Sequence, residues 1–211
     1  METKRMNIKV HLLLITFLLC SICGCKTNNS NLTKITDQRT RLEALGVSLL
    51  PPQEDGWHYA KIHPARIEFG KIGNQKGQSF AGMIVLSKLP DVGSEKEFLD
   101  VISKQRKRDS GNPRYEDLLN EEAISYEKNT IAVRFHTKYK DYGAKNLPKS
   151  SSYLIIEDIG IICRHPENKN VGVTIALSQR STPEDASKTF KSLADEFIKN
   201  AEFKSLKEIE K

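Results

Sequence analysis

Alternation of apolar and polar positions is clearest between residues 131 and 140, where it predicts a strand with one core face and one polar face. The core face comprises Ile131, Val133, Phe135, Thr137 and Tyr139. The other face comprises Ala132, Arg134, His136, Lys138 and Lys140. Two continuous runs of small and apolar residues, 79–86 and 171–177, instead favour strands that are buried on both faces.

Shorter apolar segments complete the predicted sheet. Residues 58–62 and 65–70 are each typical of a short strand. Segments 153–156 and 159–163 are typical of a hairpin, with the acidic pair at 157–158 as its turn. Most of these strands follow one another without an intervening helix, so the sheet is predicted to be mainly antiparallel.

Two helices are predicted from their caps and from an apolar stripe. Ser94 and Glu97 form a capping box, in which the Ser94 hydroxyl accepts from the amide of Glu97 and the Glu97 carboxylate from that of Ser94, so a helix is predicted over 94–108. The threonine and proline at 182–183 have the pattern of an N-cap and a first helical residue, so a second helix is predicted over 183–199. The apolar stripe of the second helix consists of Ala186, Phe190, Leu193, Ala194, Phe197 and Ile198.

The predicted fold class is α+β, a mainly antiparallel sheet with these two principal helices packed on it. From about Val47 to Phe203 the order of the elements resembles that of the PsbP-like α/β/α sandwich. The resemblance implies a layered domain and assigns no functional residue. Ahead of it, a short helix is predicted over 36–45, ended by Gly46.

The first residues of the chain have the pattern of an export signal. Lys4, Arg5 and Lys9 form a positive region, and no charged residue occurs from 10 to 22. This segment is shorter than the roughly 20 residues of a membrane-spanning helix, so a cleaved N-terminal signal helix is predicted. An uncleaved signal anchor and an ordinary secreted protein are the alternatives.

The end of this signal resembles the lipobox of bacterial lipoproteins. Ile22, Cys23 and Gly24 precede Cys25, with an aliphatic residue three positions and a small residue one position before the cysteine. The resemblance implies cleavage between Gly24 and Cys25 and alkylation of the Cys25 thiol by diacylglycerol, which makes membrane lipid the first expected partner. In a Gram-negative host, Lys26 after the cysteine implies sorting to the periplasmic side of the outer membrane.

Four segments follow from these patterns: a signal peptide at 1–24, a lipidated cysteine and flexible tether at 25–45, a single domain at 46–205, and a polar tail at 206–211. The chain has 33 basic and 27 acidic residues and is 28% charged, which excludes a polytopic membrane protein. Its net charge of +6 is too small and too evenly spread to indicate nucleic-acid binding.

Few residues are arranged as a catalytic or metal site. Cys163 and His165 would share one face of a strand, which makes them a candidate pair for thiol chemistry. The apolar run before Cys163 instead favours a buried thiol. His58 and His63 show no recognisable ligand spacing, so neither a metal nor a cofactor is predicted.

The polar face of the strand at 131–140 is the candidate partner-binding surface. Its cationic members are Arg134, His136, Lys138 and Lys140. Such a row suits acidic lipid headgroups or an acidic protein, although a solvated strand face has the same pattern. Trp57 is a further candidate, either as an exposed recognition residue or as an ordinary core aromatic.

Two hypotheses of function follow. The leading one is a non-catalytic, membrane-anchored lipoprotein of the cell envelope that binds an envelope protein, a cell-wall component or a lipid. The alternative is a small thiol-dependent or hydrolytic envelope enzyme that uses Cys163 and His165.

Overall fold

The structure of the chain is a computed structural model that describes residues 32–107, 112–145 and 147–206. The predicted signal and lipobox at 1–25 lie outside these residues. The strands are β1 (Thr33–Lys34), β2 (Leu42–Ala44), β3 (Val47–Leu49), β4 (His58–His63), β5 (Arg66–Ile72), β6 (Ser79–Lys88), β7 (Tyr115–Glu127), β8 (Thr130–Asp141), β9 (Leu154–His165), β10 (Asn168–Ser181) and β11 (Ala201–Phe203). The helices are α1 (Glu95–Arg106) and α2 (Phe190–Lys199). Neither helix is long and apolar enough to cross a membrane, a finding that covers the described residues alone.

The strands form two sheets. The larger sheet has the order β1-β4-β5-β6-β10-β9-β8-β7, and the smaller has the order β11-β3-β2. Neighbouring strands in both sheets run antiparallel. The predicted α+β class, with a mainly antiparallel sheet and two helices, is therefore confirmed.

The two helices cover opposite faces of the large sheet. Side chains alternate along β9, so that Ile161 joins the core under α2, whereas Ile162 joins the core under α1. The small sheet packs on the α2 side. On the α1 side, Gly160 leaves room for the ring of Phe135 on the neighbouring strand β8, because an added Cβ there would lie 2.5 Å from Cζ of Phe135. The domain thus has a helix on each side of one central sheet.

Helix α1 begins where the capping box predicts. Oγ of Ser94 accepts a hydrogen bond from the amide of Glu97 at 3.1 Å. The Glu97 carboxylate bonds to the amide of Gly93 at 2.8 Å, and not to that of Ser94 as predicted. The helix ends at Arg106, because Lys107 takes an extended conformation, so the predicted end at 108 is too late.

The predicted start of the second helix at 183 is wrong, because α2 begins at Phe190. Thr182 caps a single turn, since its Oγ1 accepts from the amide of Asp185 at 3.3 Å. Side chains of Gln78, just before β6, and Gln179 of β10 bind the next backbone groups. Gln78 Nε2 donates to the carbonyl of Asp185 at 2.9 Å. Gln179 Oε1 accepts from the amide of Ser187 at 3.0 Å, so the helix starts only beyond this contact.

The acidic pair Glu157-Asp158 lies within a strand and not in a turn. Strand β9 is continuous from Leu154 to His165, and the chain reverses only at residues 166–167. The hairpin predicted around 157–158 is therefore wrong. Partners on the two neighbouring strands make it favourable to hold Glu157 inside the sheet.

Residues before 46 belong to the folded part of the chain. Strand β1 pairs with β4, and β2 pairs with β3. Gly46 lies in the turn between β2 and β3 with a φ of +69°, a conformation that glycine adopts readily. The helix predicted over 36–45 is therefore wrong, and strand pairing begins ahead of the predicted domain start at 46.

Candidate functional site

The hairpin of β7 and β8 pairs an acidic strand with a basic one. The acids of β7 are Glu116, Asp117, Glu121, Glu122 and Glu127. The predicted partner-binding row lies on β8 and consists of Arg134, His136, Lys138 and Lys140. The register places Lys140 opposite Glu116 and His136 opposite Glu121. The predicted cationic face therefore lies beside a row of carboxylates, an arrangement that favours cross-strand pairing.

Arg134 and Lys140 are ion-paired within the domain. Lys140 Nζ lies 2.8 Å from Oε1 of Glu116, and this hydrogen bond raises the pKa of Lys140. Arg134 Nη1 lies 2.9 Å from Oε1 of Glu127. Its Nη2 bonds to Asp195 of α2, so that Arg134 also joins the helix to the sheet.

His136 and Lys138 converge on the carboxylate of Glu157. His136 Nε2 lies 2.7 Å from Oε1 of Glu157, and Lys138 Nζ lies 3.4 Å from Oε2. Gln179 Nε2 donates to the same Oε2 at 2.7 Å. Burial acts to raise the pKa of Glu157, but the hydrogen bonds from His136 and Gln179 and the charge of Lys138 outweigh burial. The pKa of Glu157 therefore lies below its usual value, and the carboxylate is charged at neutral pH.

The surface of β8 is consequently charge-compensated. Each of its four cationic side chains lies within ion-pair distance of a carboxylate. Arg134 and Lys138 keep about a third of their side-chain surface exposed, so a partner can still reach them. An acidic partner would have to exchange with an internal carboxylate, and binding would gain only the difference between the two ion pairs.

The opposite face of β8 ends in a buried ionic cluster around Asp141. Arg114 donates from Nε to Oδ1 at 2.7 Å and from Nη2 to Oδ2 at 2.9 Å. Arg180 of β10 donates to the same Oδ2, so the cluster ties β8 to β10 across β9. Burial acts to raise the pKa of Asp141, but the two arginines outweigh burial and hold this pKa below its usual value.

Asp158 lies on the same face as Asp141, with weaker partners. Its side chain is buried, and Oδ2 accepts a hydrogen bond from the hydroxyl of Tyr139 at 3.4 Å. Oδ1 has no hydrogen-bond partner among the residues that the structure describes. Burial raises the pKa of Asp158, and burial likewise raises the pKa of Tyr139. The pKa values of the two neighbouring aspartates are thus shifted in opposite directions.

Cys163 and His165 share a face of β9, as predicted, but each side chain bonds to the backbone and not to the other. Cys163 is buried, and its Sγ donates to the carbonyl of Val173 at 3.5 Å. His165 Nε2 donates to the carbonyl of Gly46 at 3.0 Å, and its Nδ1 accepts from the amide of Glu167 at 3.2 Å. Because both ring nitrogens bond to the backbone, the histidine is not placed as a base for the thiol.

The Cys163 thiol is expected to resist modification in the folded protein. Burial raises its pKa to about 12. At neutral pH its thiolate is therefore about a thousandfold rarer than that of an exposed cysteine with a pKa of about 8.5. In a chain whose other cysteines are replaced, we expect a thiol reagent to react at least about a thousandfold more slowly before unfolding than after it. Rapid stoichiometric reaction of the folded protein would contradict this expectation and favour the enzyme hypothesis.

Trp57 is a core residue, so the interpretation as an exposed recognition residue is wrong. Only 1% of its surface is exposed, and it belongs to the core on the α2 side. Its ring centroid lies 6.2 Å from that of Phe80. The Trp57 carbonyl accepts from the amide of Ile35 at 3.0 Å, so the N-terminal segment and the core together remove it from the surface.

The described residues form an apolar depression but no cluster suited to a metal ion. The depression has a volume of about 370 Å³ and opens to solvent. It is lined by Leu45, Ala65, Leu86, Ser87, Lys88, Asn168, Asn170, Val171 and Leu206. These residues come from separate parts of the chain, which is why no local sequence pattern identified it.

Comparisons with known proteins found solved structures of similar fold but no matching family. No family model and no curated protein matches the chain. Among solved structures, the Ran-binding protein Mog1p of Saccharomyces cerevisiae is similar at a TM-score of 0.45 and 13% identity, over 78% of this chain and 94% of that one. Cyanobacterial PsbP of Synechocystis sp. PCC 6803 is similar at a TM-score of 0.42 and 15% identity, over 87% of this chain and 99% of that one. At TM-scores below 0.5, neither likeness bears on function.

Proposed function

We propose that this chain is a bacterial lipoprotein, anchored in the cell envelope through acylated Cys25, whose domain acts by binding and not by catalysis. The observation that carries the proposal is the segment 22–25, in which Ile22 and Gly24 stand three and one positions before Cys25. The positive and then uncharged segment ahead of it supports export. In a Gram-negative host, Lys26 favours the periplasmic side of the outer membrane.

The contacts within the domain favour the binding role over the enzyme. Cys163 and His165, the pair considered for catalysis, bond to separate backbone groups. The surface of β8 suits an acidic partner, such as an envelope protein, a cell-wall polymer or a lipid headgroup. The carboxylates or phosphates of that partner would exchange with Glu116 or Asp195 at the more exposed ion pairs.

We also assign the domain to the PsbP-like α/β/α sandwich. The support is the packing of α1 and α2 on opposite faces of one antiparallel sheet. This assignment concerns architecture and transfers no partner to the chain.

Replacing Cys25 with alanine is expected to abolish incorporation of a labelled fatty acid, because its sulfur is the atom to which diacylglycerol is attached. The measurement is labelling in growing cells, followed by capture of the protein and fractionation of the membranes. Cys23→Ala is the matched control, since it removes a thiol two positions away and is expected to label at the parental level. Undiminished labelling of Cys25→Ala would overturn the proposal.

A further inference from the structure

The two edges of the large sheet differ in charge. Strand β7, at one edge, has five acidic residues and no basic one. The opposite edge, formed by β1, β4 and β5, carries the basic residues Lys34, Lys61, Arg66 and Lys71 and the acidic residue Glu68. Arg66 and Lys71 have carboxylate partners, whereas Lys34 and Lys61 are exposed and form no ion pair with a described residue. An anionic surface would attract this edge more strongly than β7, whose acids are largely paired with cations of β8 and α1.

Exposed aliphatic side chains lie at the same edge as these lysines. Ile72 at the end of β5 is 81% exposed. Leu32 before β1 and Ile62 within β4 are 56% and 55% exposed. A single exposed aliphatic residue is ordinary, but aliphatic side chains interspersed with lysines are typical of surfaces that rest on a lipid headgroup layer.

The helices leave this edge open. Helix α1 packs mainly on β7 and β8, and α2 packs mainly on β9 and β10. Strand β1 has only two residues, so it pairs with only the first part of β4. The edge is therefore accessible to a broad, flat partner.

The length of the chain keeps Leu32 near the bilayer and disfavours an orientation that places β7 on it. Leu32 follows Cys25 by seven residues, which span at most about 25 Å when fully extended. Strands lie about 4.8 Å apart, so β7 lies roughly 34 Å from β1 across the sheet. With β7 on the membrane, Leu32 would lie beyond the reach of a membrane-bound Cys25. A tether this short also holds the near edge at a local concentration on the order of millimolar, at which weak contacts are populated.

We infer that the edge formed by β1, β4 and β5 rests on the bilayer that carries Cys25. Its exposed aliphatic side chains meet the boundary of the acyl chains, and Lys34 and Lys61 meet anionic headgroups. This inference rests on the proposed lipidation of Cys25. It also directs the charged surface of β7 and β8 away from the membrane, toward an envelope partner.

Fluorescent labels at two exposed positions test this orientation. The full acylated chain is reconstituted into vesicles of phosphatidylcholine and phosphatidylglycerol that contain brominated lipid. Ile72→Cys carries a polarity-sensitive label at the proposed edge. Leu118→Cys carries it on β7, where the native leucine is 46% exposed, and is the matched control. The buried thiol of Cys163 stays unlabelled in the folded protein.

We expect the label at 72 to shift to shorter wavelength and to lose most of its emission to the brominated lipid, and the label at 118 to change little. Combining Lys34→Glu with Lys61→Glu, or omitting phosphatidylglycerol, is expected to weaken the quenching at 72. Equal quenching at both positions, or none at either, in a chain that floats with the vesicles would overturn the orientation and leave lipidation intact. A chain that does not float with the vesicles would overturn both proposals.

Discussion

Replacing Asp141 with asparagine is expected to lower the free energy of unfolding by roughly 3 to 5 kcal/mol. The carboxylate has no exposed surface, and it binds the guanidinium groups of Arg114 and Arg180. Loss of its charge would leave Arg180, whose side chain is only 11% exposed, without this counter-charge inside the fold. An amide has a single acceptor oxygen, so asparagine restores at most part of the cluster.

Urea unfolding of the purified domain measures this loss. Asp91→Asn is the matched control, because it makes the same change at an ion pair with Lys169 that is largely exposed, and we expect no detectable change in its midpoint. The pKa of Asp141 is lowered by folding, so its stabilising contribution is complete above the ordinary value of 3.8 and is lost as the pH falls through the folded pKa. The difference between the parent and Asp141→Asn should therefore shrink in acid. A loss no larger than that of Asp91→Asn would contradict the prediction.

Periodic sequence patterns correctly predicted those helices and strands in which contact with one neighbouring layer decides which side chains are buried. In β8, Val133 and Phe135 are buried under α1, and Arg134 between them points to the other face, as the alternation predicted. The apolar stripe predicted for the second helix likewise faces the core from Phe190 onward, whereas its first member, Ala186, precedes α2 and is half-buried. In both cases the side-chain period of the element alone determines which residues are buried.

Local patterns failed where the deciding partner is distant in sequence. Adjacent acids such as Glu157-Asp158 are typical of exposed turns. Here His136 and Gln179, which are 21 and 22 positions from Glu157, supply the hydrogen bonds that make its burial favourable. No window around residue 157 contains this information.

The candidate binding surface likewise combines features that are visible in the sequence with partners that only the structure shows. The basic row on β8 and the acids at 115–127 are both visible in the sequence. Only the register of the hairpin shows that Lys140 faces Glu116, which is 24 positions away. The acidic residues of β7 are the sequence feature that indicates ion pairing of the β8 cations. This feature could be used only once β7 and β8 were known to be neighbouring strands.

Replacing Asp158 with asparagine is expected to have the opposite effect to the same change at Asp141, raising the free energy of unfolding at neutral pH by on the order of 1 kcal/mol, the usual size for a stabilising substitution. Asp158 is buried, and its hydrogen bond from Tyr139 is long at 3.4 Å. Its interactions with Ser178 and Arg106, which act to lower its pKa, do not offset burial. Burial raises its pKa, so ionising this carboxyl costs more free energy in the folded protein than in the unfolded chain. Asparagine has nearly the same size and cannot ionise.

The pH dependence separates this explanation from a simple packing effect. Because the pKa of Asp158 is raised by folding, its contribution is most favourable below the ordinary value of 3.8 and declines as the pH rises through the folded pKa. Urea midpoints of the parent and Asp158→Asn should therefore coincide in acid and separate toward neutral pH, in the reverse order to Asp141→Asn. A loss at neutral pH as large as that of Asp141→Asn would contradict the prediction. It would mean that Asp158 is ionised in the fold and is held there by Arg106, the nearby cation that acts to lower its pKa.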